Sequence, residues 1–211
     1  MGAEMVTKGD QAGDSIFLTS DRLASLSDTM FGVAMTLVVT TLLPSVQAYK
    51  GAVIGMLPNL NGELIAIVLS FAISARYWVF QQQRLAMTST VTPLQTLLHL
   101  TFLFLVVLIP ISTSLSGLTG SGARLVPVMI YGSHLFLLAL VNLLLWVEVH
   151  RDVGAHLQIV QSSIAVSLLV AALAVAAMRP SLALYVWFTV PTTPLLLSRH
   201  LTRQIYGIKV R

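Results

Sequence analysis

Arg22 and Asp28 stand at the threshold of a stretch, residues 29–43, that carries no charge at all. Ionisable groups in or beside an apolar helix are costly in a bilayer, so they usually face a bundle interior or a water-filled path. A carboxylate in that place can pair with a cation or accept hydrogen bonds from a neighbouring helix. Just beyond it, Thr29, Val33, Thr36 and Thr40 fall on one narrow helical stripe, with Leu37 beside it. Hydroxyl oxygens on such a stripe can replace part of a cation's hydration shell. They can equally bond back to the carbonyl one turn earlier and serve only the helix. Asp28 lies about 100° around the helix from the stripe. One face can therefore meet a polar neighbour while another meets a symmetry axis.

The elements that must hold these residues are membrane helices. Of 211 residues, 56% are hydrophobic and 9% charged, against about 25% charged in soluble domains. The mean hydropathy is +0.86. Six runs reach the roughly 20 apolar residues that a span requires: 23–43, 60–80, 94–115, 125–147, 159–178 and 182–197. The last holds Pro191 and Pro194, which predicts a kink. Turn residues such as Pro44, Gly117, Gly154 and Pro180 punctuate the connections. The expected fold is all-α: a polytopic membrane protein with six transmembrane helices. Residues 1–20 read as a flexible cytosolic tail, 21–198 as the membrane domain and 199–211 as a basic cytosolic tail.

An even number of spans puts both termini on one side. Lys8, Arg22, Arg76, Arg84, Arg151, Arg199, Arg203, Lys209 and Arg211 fall there, against Lys50, Arg124 and Arg179 opposite. The positive-inside rule makes that side the cytoplasm. The net charge of +4 thus records topology rather than a nucleic-acid partner. There is no cysteine, which excludes disulfides and thiolate chemistry. No phosphate-binding glycine loop, HExxH, GxSxG or TVGYG-type filter occurs, so an enzyme is not expected.

Counting about 1.5 Å per residue puts Asp28, Arg76, His99 and Asn142 at one level on four different helices. An Asp28–Arg76 ion pair is expected there, with His99 and Asn142 adding hydrogen bonds, either as glue between helices or as part of a gate. His134 lies mid-span, a proton-responsive group or a hydrogen-bonded one. Pro110, followed by Ser112 and Thr113, predicts a kink whose freed carbonyls those hydroxyls satisfy. The alanines of the fifth span suit close helix packing. Glu148, His150, Asp152 and His156 gather around one loop. Their spacing could suit a metal, but solvation is the simpler reading, and no metal or cofactor is expected.

The segment Arg22-x-x-x-Leu26-Ser27-Asp28, at the start of the first of six spans, resembles the R-x-x-x-F-S-D signature of the transmembrane protein 175 family, potassium channels of lysosomes and bacteria. Ala34 and Thr36 at family-like offsets, Trp78 late in the second span and Pro110 near the outer end of the third extend the resemblance. It implies a prokaryotic member with one six-helix unit per chain, assembled as a homotetramer whose first helices line a central pore. By offset from Asp28, it implies a hydrophobic constriction at Val33, Leu37 and Thr40, with Thr36 as a hydroxyl ring implicated in selectivity. It also implies a structural network in which Arg22, Ser27 and Asp28 hold the pore helix against the second helix. Taken with the depth reading above, the expected structural network comprises these residues with Arg76, Trp78, Gln82, His99 and Asn142. Three departures stand out: Leu26 replaces Phe, Gln81, Gln82 and Gln83 stand where relatives often have a histidine, and Thr40 is more polar than the usual aliphatic.

The expected function is passive conduction by a potassium-preferring cation channel in a bacterial plasma membrane. Its partners would be the lipid bilayer, potassium and other monovalent cations, with modest selectivity and no cofactor. The rival is an ion- or proton-coupled secondary transporter that relays through Asp28, Arg76 and His99. The lack of matched broken helices in two halves weighs against it. An inert scaffold is a third reading.

Overall fold

The structure, a computed structural model, describes residues 19–43, 61–88, 91–115, 125–153, 155–180, 182 and 187. Its described elements are helices: α1 (Ser20–Thr40), α2 (Asn61–Met87), α3 (Pro93–Val107), α4 (Ile109–Leu115), α5 (Leu125–Val153) and α6 (His156–Met178). Among the described residues, five stretches are long and apolar enough to cross a membrane: Ser20–Thr40, Glu63–Met87, Pro93–Leu115, Leu125–His150 and His156–Met178. The expected sixth span, 182–197, lies outside the described residues apart from Leu182 and Trp187. So do both expected tails, except for Thr19 and Ser20.

Local sequence explains the boundaries. Asp21 sits in the first turn of α1, where a negative charge meets the positive end of the helix dipole. Thr92 opens α3 with a reciprocal cap. Its hydroxyl accepts from the Gln95 amide at 3.2 Å, and the Gln95 side chain accepts from the Thr92 amide at 3.2 Å. Pro93 follows at the first helical position, where its missing N–H costs nothing. The third span breaks at Leu108 into α3 and α4, as Pro110 predicts. Thr113 and Ser112 donate to the Ile109 carbonyl at 2.7 and 3.0 Å, one turn back on their own helix, rather than to the Val106 carbonyl whose partner Pro110 removes.

The second helix runs seven residues past the expected end at Phe80. Gln81, Gln82, Gln83, Arg84, Leu85, Ala86 and Met87 are mostly good helix formers, and nothing among them stops a helix. Hydropathy drops there, but the helical stripe of buried residues does not. Leu69, Ile73, Tyr77, Phe80, Gln81 and Arg84 are all buried.

The core sits where one face of each helix converges. On α1, the buried residues Leu23, Ser27, Phe31, Ala34 and Val38 recur at the helical period. Phe31 and Tyr77 pack against Phe102 with ring centroids 6.2 and 5.7 Å apart, and Phe80 meets Trp146 edge-on at 6.3 Å. Ser70 bonds both Thr113 and Tyr131 at 2.8 and 2.9 Å, tying α2, α4 and α5 together without water. On α6, Ala165, Ala172 and Ala176 are buried while Ala171, Ala174 and Ala177 face outward. One alanine face therefore does the close packing. Gly132 of α5 has no room for a side chain. A Cβ there would lie 2.7 Å from Leu173 and 2.9 Å from the Trp187 ring.

Candidate functional site

Among the five spans, α1 is the least buried, yet it carries the hydroxyl stripe. Thr29, Val33, Thr36, Leu37 and Thr40 are all exposed, Val33 at 46% and Leu37 at 42%. Each threonine on this face spends its hydroxyl hydrogen on its own helix. Thr29 donates to the Ser25 carbonyl at 3.0 Å, and Thr40 to that of Leu37 at 2.7 Å. Thr36 reaches both the Gly32 and Val33 carbonyls, at 3.0 and 2.8 Å. With the hydrogens committed, the oxygen lone pairs are what the stripe offers to a ligand. From Thr29 to Thr40 such a face has acceptors and no cationic donor, which suits a cation rather than an anion. Beside its outer half, a groove of about 380 Å³ runs between Leu37, Thr40 and Thr41 of this chain segment and Pro110, Ile111 and Ser114 of α4.

Asp28 is exposed, next to this face, and it is held by α2. Its Oδ1 accepts from the Trp78 indole N–H at 2.7 Å and also from the Gln82 amide. Trp78 and Gln82 are one turn apart and share a face, so both reach the same carboxylate oxygen. Arg76 lies about 200° from Trp78 around α2, on the other side of the helix. Its guanidinium carbon stands 5.0 Å above the Phe80 ring and 5.9 Å from that of Tyr77. The expected Asp28–Arg76 ion pair is therefore replaced by the Trp78–Asp28–Gln82 contact. Arg22 is exposed in the first turn of α1.

His99 and Asn142 do meet in one network, but with a different cation. Arg84, fully buried, donates to the Gln81 carbonyl oxygen through Nη2 and to the Asn142 oxygen through Nη1 at 3.1 Å. The Gln81 amide nitrogen contacts Ser27 Oγ at 3.0 Å and His99 Nδ1 at 2.9 Å. Ser27 in turn donates to the Leu23 carbonyl at 2.7 Å, and Asn142 donates to Ser162 at 3.2 Å. Side chains from α1, α2, α3, α5 and α6 thus join in one buried polar chain. The expected cation was one level off. Arg76 and Arg84 are separated by about 12 Å along the helix axis, and only the extension of α2 past Phe80 brings the second into the bundle.

Gln81 and Arg84 are the residues that sequence reasoning did not place in the site. The signal was available: they fall four and seven positions after Tyr77, on the stripe that faces the core. His134 is hydrogen-bonded at the helix break, with Nδ1 2.8 Å from Ser112 Oγ and Nε2 3.0 Å from the Leu105 carbonyl. The rings of His150 and His156 lie 4.1 Å apart across the α5–α6 connection. Among the described residues, no group of three or more His, Asp or Glu side chains is gathered to hold a metal ion.

The family model described as the endosomal/lysosomal potassium channel TMEM175 matches residues 22–110, from the start of α1 to the break in the third span. The fold is also that of a solved structure, described as the crystal structure of a lysosomal potassium-selective channel TMEM175 homolog from Chamaesiphon minutus. The TM-score is 0.72 at 20% identity, over 86% of this chain and 97% of that one. No curated protein matches the chain.

Proposed function

We propose, from the match of residues 22–110 to the TMEM175 family model, that this chain is a member of that family and a potassium-preferring cation channel working as a homotetramer. The family is one of ion channels, not of enzymes. The single observation that carries the reading is the inversion on α1. The most polar face of that helix, with Thr29, Thr36 and Thr40, is left exposed by the chain's own fold. In a bilayer such a face is stabilised if water and other copies of itself meet it. Cyclic symmetry brings four copies of one stripe onto one axis.

In this arrangement Val33, Leu37 and Thr40 form the constriction, and Thr36 supplies the hydroxyl ring between the two apolar layers. A ring of apolar side chains limits conduction by excluding water, whereas threonine oxygens can stand in for a few hydration waters. No cofactor takes part, and potassium is the permeant species. Asp28, held by Trp78 and Gln82, fixes the inner end of the pore helix against α2. Both termini face the cytoplasm, and the protein resides in a plasma membrane as a multi-pass channel.

A proton relay through Asp28, Arg76 and His99 finds less support. Asp28 bonds Trp78 and Gln82, Arg76 stacks on Tyr77 and Phe80, and His99 bonds Gln81. The test is potassium flux from liposomes that contain only this protein, with sodium and proton gradients as controls. Channel-like potassium efflux without saturation is expected. Saturable flux coupled to a second ion would replace the channel reading with a transporter.

A further inference from the structure

We infer that Arg84 is a positioning residue for the pore helix: it fixes which way the Gln81 amide points, and through that amide it sets both the anchor at Ser27 and the tautomer of His99. The inference rests on the reading of α1 as the pore-lining helix for its functional meaning, but not for its chemistry.

The argument is one of donors and acceptors. A guanidinium has five N–H donors and no acceptor. The Gln81 atom that faces Arg84 Nη2 must therefore be the carbonyl oxygen. The amide nitrogen is then committed to the opposite side, where it meets Ser27 Oγ and His99 Nδ1. Ser27 has one hydrogen and gives it to the Leu23 carbonyl, so toward Gln81 it can only accept. His99 Nδ1 must accept as well, which puts the ring proton on Nε2. Each bond of this run has its donor and acceptor fixed in one sense only.

Turning the amide over breaks this sequence everywhere at once. An NH₂ group would then face the guanidinium, two donors with no acceptor between them. Ser27 would face an oxygen while its own hydrogen is already used. Gln81, Arg84 and Ser27 are all fully buried, so water cannot rescue the mismatch. Among the described residues Arg84 has no carboxylate partner. Its guanidinium carbon lies 5.6 Å from the Phe102 ring centroid and 5.5 Å from that of Trp146, and its polar contacts are the two amides. The same logic orients Asn142, whose oxygen faces Arg84 Nη1 and whose nitrogen donates to Ser162. One cation thus aligns two amides, one toward α1 and α3 and one toward α6. An apolar side chain of similar size could fill the same space but could not choose the direction of either amide.

The test is solid-state NMR on the full-length protein in lipid bilayers with nitrogen-15-labelled histidine, His99 being assigned through its neighbours Leu98 and Leu100. In the parent, His99 is expected as a single neutral species, non-protonated at Nδ1 and protonated at Nε2. Arg84→Met is expected to lose that single state and show both tautomers, because Gln81 is then free to turn. Arg84→Lys is expected to keep the single state, since an ammonium is also a pure donor. Finding the parent His99 protonated at Nδ1 overturns the inference without any variant, which covers the case in which Arg84→Met does not fold. A single unchanged tautomer in folded Arg84→Met overturns it as well, and so does a mixture in Arg84→Lys. Potassium flux from the same bilayers judges the channel reading separately. The expected tautomer pattern without flux would sink the pore and leave the role of Arg84 in place.

Discussion

Gln81→Met tests the buried polar chain at its centre. Methionine has nearly the same length and volume, so no cavity opens and the change is one of hydrogen bonding alone. Three contacts are lost: to Ser27 at 3.0 Å, to His99 at 2.9 Å and the one received from Arg84. Two neutral bonds at about 1 kcal/mol each and one charge-assisted bond at about 2 kcal/mol sum to about 4 kcal/mol. Interhelical hydrogen bonds in membranes average nearer 0.6 kcal/mol, which brings the sum down to about 3 kcal/mol. Gln83→Met is the control: the same substitution two residues away, on an exposed face of α2, where changes of under about 0.5 kcal/mol are usual. Unfolding in mixed detergent micelles, followed by tryptophan fluorescence, measures both. If Gln81→Met unfolds within about 1 kcal/mol of Gln83→Met, the chain contributes far less than its geometry implies and the reasoning fails.

Other expectations follow from the same contacts. Thr36→Val keeps side-chain volume but deletes the hydroxyl oxygen, so bi-ionic reversal potentials should show a smaller potassium preference over sodium in an intact tetramer; an unchanged preference would clear the hydroxyls of that role. Asp28→Ala removes the acceptor shared by Trp78 and Gln82 and should weaken assembly in native mass spectrometry, whereas Asp28→Asn keeps an oxygen for them and should behave much more like the parent. A parent-like Asp28→Ala tetramer would contradict this. Gly132→Ala forces a Cβ to within 2.7 Å of Leu173 and 2.9 Å of Trp187 and should destabilise by about 1–3 kcal/mol. Leu173→Ala in the same chain should recover part of the loss, and the absence of any loss would mean that α5 and α6 do not approach this closely.

Much of the first helix was legible because its signals are local. Charge ends at Asp28, the apolar run begins, and the threonines repeat at the helical period. The break at Pro110 was legible for the same reason, since a residue without an N–H announces its effect one turn away. The second helix was misread at its end because hydropathy averages all faces. Gln81, Gln82, Gln83 and Arg84 lower the average, yet two of them point into the core and one reaches Asp28. Both arginines are buried, but which one joins Gln81 and Asn142 depends on where the helix stops, and that stop is set by packing beyond the reach of a window. The partners of Asp28 were beyond it too. A carboxylate and a cation at similar computed depth look like a pair, but side-chain direction around the helix decides. Trp78 and Gln82 face α1, and Arg76 faces away.

The account turns on whether ions pass along the exposed stripe of α1. The direct measurement is potassium current through Val33→Cys channels in a planar bilayer, before and after a bulky, water-soluble thiol reagent. The parent has no cysteine, so any effect belongs to that position. The account predicts a potassium-carried current that the reagent sharply reduces at Val33→Cys and leaves intact in the parent. A robust potassium current that the reagent does not alter, with Val33→Cys shown by mass spectrometry to be fully labelled, would mean that the conduction path runs elsewhere.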